Sequence, residues 1–154
     1  MRNKTVFQFI SEPSDVNYGG NVHGGSVMKW IDQAGYACAS SWSSSYCVTV
    51  YVGGIRFYSP IKIGHLVKVE AEVIYTGETS MQIGINVYSR NIKHTKFEKK
   101  THCIIVFVAV DDEGKSVPVP KFFPKSKKDK KMEKYAIKLM KLRKDIEEEM
   151  KPFL

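Results

Sequence analysis

The chain has 154 residues, of which 43% are hydrophobic and 26% charged, and its formal net charge is +8. That length suffices for one domain with a substantial buried core, so no second domain is needed. Neither a signal peptide nor a membrane span is predicted, because no basic start precedes a long apolar run and no stretch approaches 18 apolar residues. Three cysteines in apolar runs and four scattered histidines predict a cytoplasmic protein with reduced thiols and no bound metal.

Hydrophobic periodicity and turn residues predict the elements in chain order. They are a short strand over 5–10, a helix from about 25 or 26 to about 40 with a polar linker after it, and strands over 47–58, 67–75, 81–87 and 101–110. In the second strand the apolar positions change parity at Gly53 and Gly54, which predicts a β-bulge. The last strand is apolar at both parities and should be covered on both faces. One early helix followed by four long strands predicts an α+β fold, with a curled antiparallel sheet around a central helix.

The C-terminal part of the chain is distinct in charge. Residues 121–154 hold 12 Lys+Arg against 6 Asp+Glu, whereas residues 1–120 hold 12 against 10. From about Lys128 the apolar residues follow a helical spacing with a narrow seam, namely Met132, Tyr135, Leu139, Leu142, Ile146 and Met150. We therefore predict a main domain over 1–125 and a basic helical extension over 126–154, docked on its own sheet or on a neighbouring subunit. The positive charge is either a solvated surface or a field that attracts a polyanion.

The candidate site is the run from Asn21 to Gly35, where a polar glycine-rich loop enters the helix. Backbone N–H groups near Gly24 and Gly25, at the positive end of the helix dipole, would favour an oxyanion or a phosphate. The predicted buried stripe is Val27, Trp30, Ile31, Ala34, Cys38 and Ser41. Asp32 lies off that stripe, on a flank with Met28, Gly35 and Ala39 that would leave room for another chain or an apolar ligand. From pattern alone, Asp32 is either a functional carboxylate or an ordinary polar residue.

Several motifs in order resemble those of a known family. The run NVHGGSVMKWIDQAG is followed by Val48-Thr49-Val50, by FYSPIKIG over 57–64 and by YTGETSM over 75–81. Over roughly residues 5 to 145 the chain resembles acyl-CoA thioesterases of the hotdog fold, above all the brain-type and bacterial broad-range acyl-CoA hydrolases. The resemblance implies a single hotdog domain that hydrolyses fatty acyl-CoA to fatty acid and coenzyme A. It implies no cofactor, since coenzyme A is part of substrate and product.

The resemblance also implies an asparagine at Asn21 and an aspartate at Asp32 acting from opposite subunits, hence at least a homodimer and, in the family, a trimer of dimers. The residues agree with that arrangement, because Asp32 lies about 10 Å along the helix from the Gly24 and Gly25 amides. These amides would polarise the thioester carbonyl, and Asp32 would be the base or nucleophile. Asn21 would hold the water or the carbonyl, although without the family a helix cap would be its simpler role. His23 would support the loop, and Asn17 is a weaker candidate.

For coenzyme A, the resemblance places Thr79, Ser80 and Met81 along the pantetheine channel. Arg90, Lys93 and Lys121 are candidates for the phosphates, as bidentate or point-charge partners. Two other functions stay open: a hotdog dehydratase that pairs His23 with Asp32, and a non-catalytic acyl-CoA-binding module, which would not need Asp32. Nucleic acid is not an expected partner, because the basic tail is mixed with acidic residues and lacks interleaved aromatic residues. A membrane is not expected either, because no membrane span is predicted.

Overall fold

The computed structural model describes residues 3–154 as one antiparallel sheet with a helix on each face. The strands are β1 (Lys4–Ile10), β2 (Tyr46–Phe57), β3 (Leu66–Thr76), β4 (Ser80–Arg90) and β5 (Glu98–Val110), and the helices are α1 (Gly24–Ser43) and α2 (Lys127–Met150). The strand order is β1-β3-β4-β5-β2, with every neighbouring pair antiparallel. The predicted α+β fold, a curled sheet around a central helix, is confirmed.

Helix α1 fills the inner face of the sheet, although its buried stripe differs from the predicted one. Ser41 is exposed, and Trp42 is buried in its place. Gly35 and Ala39 are buried too, and a Cβ added at Gly35 would lie 2.8 Å from Cε2 of Phe107. The small residues beside Asp32 therefore serve the close approach of helix and sheet, and the prediction that they leave room for another chain or a ligand is wrong for them.

The helix also ends three residues later than predicted. The hydroxyls of Ser40 and Ser43 donate hydrogen bonds to the carbonyls four residues earlier, at 2.7 and 2.9 Å. A serine hydroxyl can thus find a hydrogen-bond acceptor within the helix itself. The prediction that serine residues end the helix near Ser40 did not take this into account. The turn comes at Ser44, where the backbone is left-handed with a φ of 54°.

The predicted strands are all present, most of them longer than expected. In β2 the register shifts between Gly53 and Arg56, and Gly54 has a φ of +66°, which confirms the predicted bulge. A second shift between Thr49 and Tyr51 was not predicted. Strand β5 is covered on both faces, as predicted, because Phe107 lies in the core under α1 while Ile104 is buried beneath α2.

Helix α2 packs on the outer face of the sheet with only the first half of its apolar seam. Ala136 is buried against Ile74 and Ile104, with Met132, Tyr135 and Leu139 around them. The Tyr135 hydroxyl lies 2.7 Å from Nε2 of His102. Leu142, Ile146 and Met150 are 49 to 55% exposed, so the second half of the predicted seam has little covering it. In the described part of the chain no helix combines the length and hydropathy needed to span a membrane.

Candidate active site

A cleft of about 400 Å³ opens at the start of α1. Its walls come from the loop before the helix, from the first turn of α1, from the end of β2 with the segment that follows, and from the start of β5. Its lining is Asn17, Asn21, Val22, Gly24, Val27, Phe57, Tyr58, Ser59, Pro60, Ile61, Lys100 and Thr101. The structure therefore brings Asn21 and Gly24 together, as the sequence predicted. The cleft also contains Asn17, the weaker candidate of the sequence analysis, and Lys100, which the sequence analysis did not name.

The first turn of α1 leaves one amide for a ligand. The Gly25 N–H donates to Nδ1 of His23 at 2.9 Å, so His23 is the residue that caps the helix. The Ser26 and Val27 amides donate to the His23 carbonyl. Within residues 3–154 the Gly24 N–H has no acceptor and borders the cleft. Of the two predicted polarising amides, Gly24 is free to meet an oxyanion, whereas that of Gly25 is occupied by the cap.

Asn17 has a better oriented amide than the sequence suggested. Its Oδ1 accepts hydrogen bonds from the backbone N–H groups of Gly19 (2.8 Å) and Asn21 (3.1 Å). Since these bonds fix the oxygen, the Nδ2 hydrogens remain for the cleft. Asn21 does not cap the helix. The signal was present in the sequence, because an asparagine two residues before a glycine is typical of a turn closed by its own side chain.

Asp32 lies outside the cleft of its own subunit. It is exposed on α1, and its Oδ1 accepts a hydrogen bond of 2.8 Å from the Thr49 hydroxyl. Thr49 belongs to β2, which is the last strand of the sheet. The Asp32–Thr49 pair therefore lies along the open edge of the sheet, separate from Asn21 and Gly24. Sequence reasoning did not single out Thr49, because its hydrogen bond with Asp32 joins residues 17 positions apart.

Two of the predicted coenzyme A contacts are engaged elsewhere. The Met81 side chain has no exposed surface and belongs to the core, so it cannot line a channel of this subunit. Alternate residues of a strand point to opposite faces, and Met81 takes the inner one. Nη1 of Arg90 donates to the carbonyls of Asn91 and His94, and its guanidinium carbon is 5.1 Å from the ring centre of Phe97. Arg90 therefore holds the loop between β4 and β5.

The remaining candidates lie away from the cleft. Thr79 and Ser80 are half-buried in and after the turn between β3 and β4, while Lys93 and Lys121 are exposed. The cation that borders the cleft is Lys100, whose Nζ donates to Ser59 Oγ at 3.1 Å and lies 3.0 Å from a Glu98 oxygen. Sequence reasoning did not single it out. Within residues 3–154, no group of three or more His, Cys, Asp or Glu side chains could hold a metal ion.

Comparison with known proteins agrees with the fold and the motif. The model of the thioesterase superfamily matches residues 19–95. The acyl-CoA thioester hydrolase YciA of Salmonella typhimurium is 31% identical over 118 residues, which cover 75% of this chain and 89% of that protein.

Two solved structures superimpose closely. A hexameric acyl-CoA thioesterase has a TM-score of 0.89 at 30% identity, covering 94% of this chain and 92% of the other. The acyl-CoA hydrolase of Staphylococcus aureus, in complex with butyryl coenzyme A and coenzyme A, has a TM-score of 0.90 at 27% identity, covering 99% and 93%. With this fold, this motif and these relatives, the chain belongs to the thioesterase superfamily, as a hotdog-fold acyl-CoA hydrolase.

Proposed function

We propose that the protein hydrolyses acyl-CoA to a carboxylic acid and coenzyme A at sites shared between two subunits. Each site combines Asp32 and Thr49 of one subunit with Gly24 and Asn17 of its partner. The observation that carries this proposal is the position of Asp32. It is held at the open edge of the sheet by Thr49, outside the cleft that contains the carbonyl-binding groups.

The edge strand β2 is the proposed dimer contact. It has 12 residues, and within residues 3–154 it pairs only with β5, while Val50 and Val52 on it are 54 and 42% exposed. A long apolar edge strand invites pairing with another chain. If two copies pair antiparallel about the middle of β2, the Thr49 end of one strand lies beside the Phe57 end of the other, and Phe57 lines the cleft. A hexamer, as in the related thioesterase, would contain three such dimers.

The choice of Asn17 has support from a relative. Alanine variants of the Staphylococcus aureus hydrolase have been made at an asparagine, an aspartate and a threonine, at positions 28, 43 and 60 of that chain. The separations are 43 − 28 = 15 and 60 − 43 = 17 residues. Asn17, Asp32 and Thr49 have the same types and the same separations here. Asn21, the asparagine first predicted, lies 11 residues before Asp32 and remains the competing candidate.

The proposed reaction uses these groups in one addition and one elimination. The thioester oxygen accepts hydrogen bonds from the Gly24 N–H and from Nδ2 of Asn17, which stabilise the developing oxyanion. The Asp32 carboxylate takes a proton from water as the water oxygen attacks the carbonyl carbon. The C–S bond then breaks, and the proton passes to the coenzyme A thiolate. Lys93 and Lys121 stay candidates for the phosphates, and Lys100 joins them.

Thiol release from a panel of short to long acyl-CoAs tests the proposal. We expect Asp32→Asn to lower kcat by about 10² to 10⁴-fold, as the loss of a general base does, with coenzyme A binding retained. Asn17→Ala should cost about 10² to 10³-fold, as the loss of an oxyanion donor does, while Asn21→Ala keeps most activity. Full activity of Asp32→Asn would exclude it as the base. A large loss in Asn21→Ala with an active Asn17→Ala would reverse the choice of asparagine.

A further inference from the structure

A second pocket lies on the opposite side of the sheet from α1. It has a volume of about 280 Å³ and separates the second half of α2 from the outer faces of β2, β4 and β5. Leu139, Leu142 and Ile146 line it from the helix, and Tyr51 and Ile104 line it from the strands. It shares no lining residue with the cleft at the start of α1. The walls thus form an apolar site independent of the proposed catalytic groups.

A buried amide side chain faces this pocket. Gln82 is 3% exposed and lines the cavity. Its neighbours in β4, Met81 and Ile83, belong to the core under α1, so Gln82 points to the α2 side. An oxygen acceptor on a ligand in the pocket could therefore accept a hydrogen bond from Nε2 of Gln82.

A cation without a counter-ion borders the same pocket. The Arg143 guanidinium carbon lies 5.0 Å from the ring centre of Tyr51, and the side chain is partly buried. In the described part of the chain no carboxylate lies within 4.0 Å of it. His102, the other basic residue of the lining, already uses both ring nitrogens, with Asn86 and Tyr135. Arg143 is therefore the group of the pocket that is free to bind an anion.

These features together specify the ligand. Apolar walls call for an apolar body, while a guanidinium and an amide N–H call for an anionic oxygen acceptor, which a carboxylate provides in bidentate form. The volume is near the lower end of small-molecule sites, so the chain should be short or medium in length. We propose that this pocket binds a medium-chain fatty acid, with its carboxylate on Arg143 and Gln82 and its alkyl chain along Leu139, Leu142 and Ile146.

Binding can be measured without any turnover. Decanoate is titrated by calorimetry into the wild-type protein saturated with coenzyme A, which occupies the catalytic cleft, and decanol serves as the uncharged analogue. We expect decanoate to bind at least tenfold more tightly than decanol. Arg143→Met, which keeps the packing of the aliphatic stem, should weaken decanoate at least tenfold, and Leu142→Trp should block it by filling the pocket. Lys144→Met, the matched loss of one charge at an exposed neighbour, should leave binding unchanged.

Three results would overturn the proposal. They are the absence of decanoate binding, unchanged affinity in Arg143→Met, and loss of binding on saturation with coenzyme A, which would place the fatty acid in the catalytic cleft. Gln82→Met removes the amide and keeps a similar side-chain length, and we expect this variant to bind decanoate at least tenfold more weakly than the wild type. Because these measurements use binding alone, they stand even if Asp32 proves not to be the catalytic base.

Discussion

Replacing Thr49 by valine isolates the contact that fixes Asp32. Valine keeps the size and the branched Cβ that suit a strand, and it removes only the hydroxyl that donates to Oδ1 of Asp32 at 2.8 Å. Hydrogen bonds to charged groups contribute about 1.5–3 kcal/mol. If the whole of that bond positions the carboxylate in the transition state, kcat should fall about 10 to 150-fold, since about 1.4 kcal/mol corresponds to tenfold.

The assay is thiol release at saturating and at limiting acyl-CoA, so that kcat and KM are separated. Because Thr49 acts on Asp32 and not on the substrate, we expect the loss in kcat with KM within about threefold of wild type. Thr49→Ser keeps the donor and should recover most of the activity. Wild-type kcat in Thr49→Val, or an equal loss in the serine variant, would refute the positioning role.

Three further predictions concern the fold. Gly35→Ala gains about 1 kcal/mol of helix propensity, but it places a methyl group 2.8 Å from Phe107, and such overpacking costs about 1–3 kcal/mol. Urea unfolding should therefore show a free energy of unfolding lower by up to about 2 kcal/mol, and a more stable variant would contradict this prediction. Burial holds the pKa of His102 below its ordinary value of 6.5, so the unfolded chain takes up a proton first and the stability of the fold should decrease as pH drops below about 6.5. Thermal unfolding of His102→Gln should lack this part of the decrease, and an unchanged pH dependence in the variant would contradict the prediction. Burial also raises the pKa of the Cys38 and Cys103 thiols to about 11 and about 12, and all three thiols should resist Ellman's reagent until the protein is unfolded; rapid labelling of the native protein would be the opposite result.

Periodicity was enough to predict the sheet and both helices. The alternation along β3 and β4 reflects one core face, and the parity change at Gly53 marked a true bulge. Hydrophobic periodicity failed where a specific local contact, and not the spacing of apolar residues, decides the structure. The hydroxyls of Ser40 and Ser43 donate hydrogen bonds to backbone carbonyls of the same helix, so the helix continues past Ser40. Gly35 is buried because Phe107 packs against it, which its place beside Asp32 on the helix did not indicate.

The site was predictable only in part. The glycine-rich loop before the helix identified Gly24 as a candidate, because such a loop leaves backbone amides unpaired at the helix start. The roles of Asn21 and Asp32 came from the resemblance to acyl-CoA thioesterases. Sequence order could not show that His23 would occupy the Gly25 amide, or that Thr49 would come from β2 to meet Asp32. Such contacts depend on how the strands are ordered in the sheet, which the periodicity of single segments does not contain.

Subunit complementation tests the shared site most directly. Asp32→Asn and Asn17→Ala subunits, each nearly inactive alone, are co-expressed with different affinity tags, and the mixed dimers are compared with each parent. With random pairing, half of the dimers are mixed and each has one intact site, so the unfractionated mixture should recover about a quarter of wild-type activity. Recovery at that level would establish that Asp32 acts on the cleft of its partner. Isolated mixed dimers with no more activity than their parents would contradict the account.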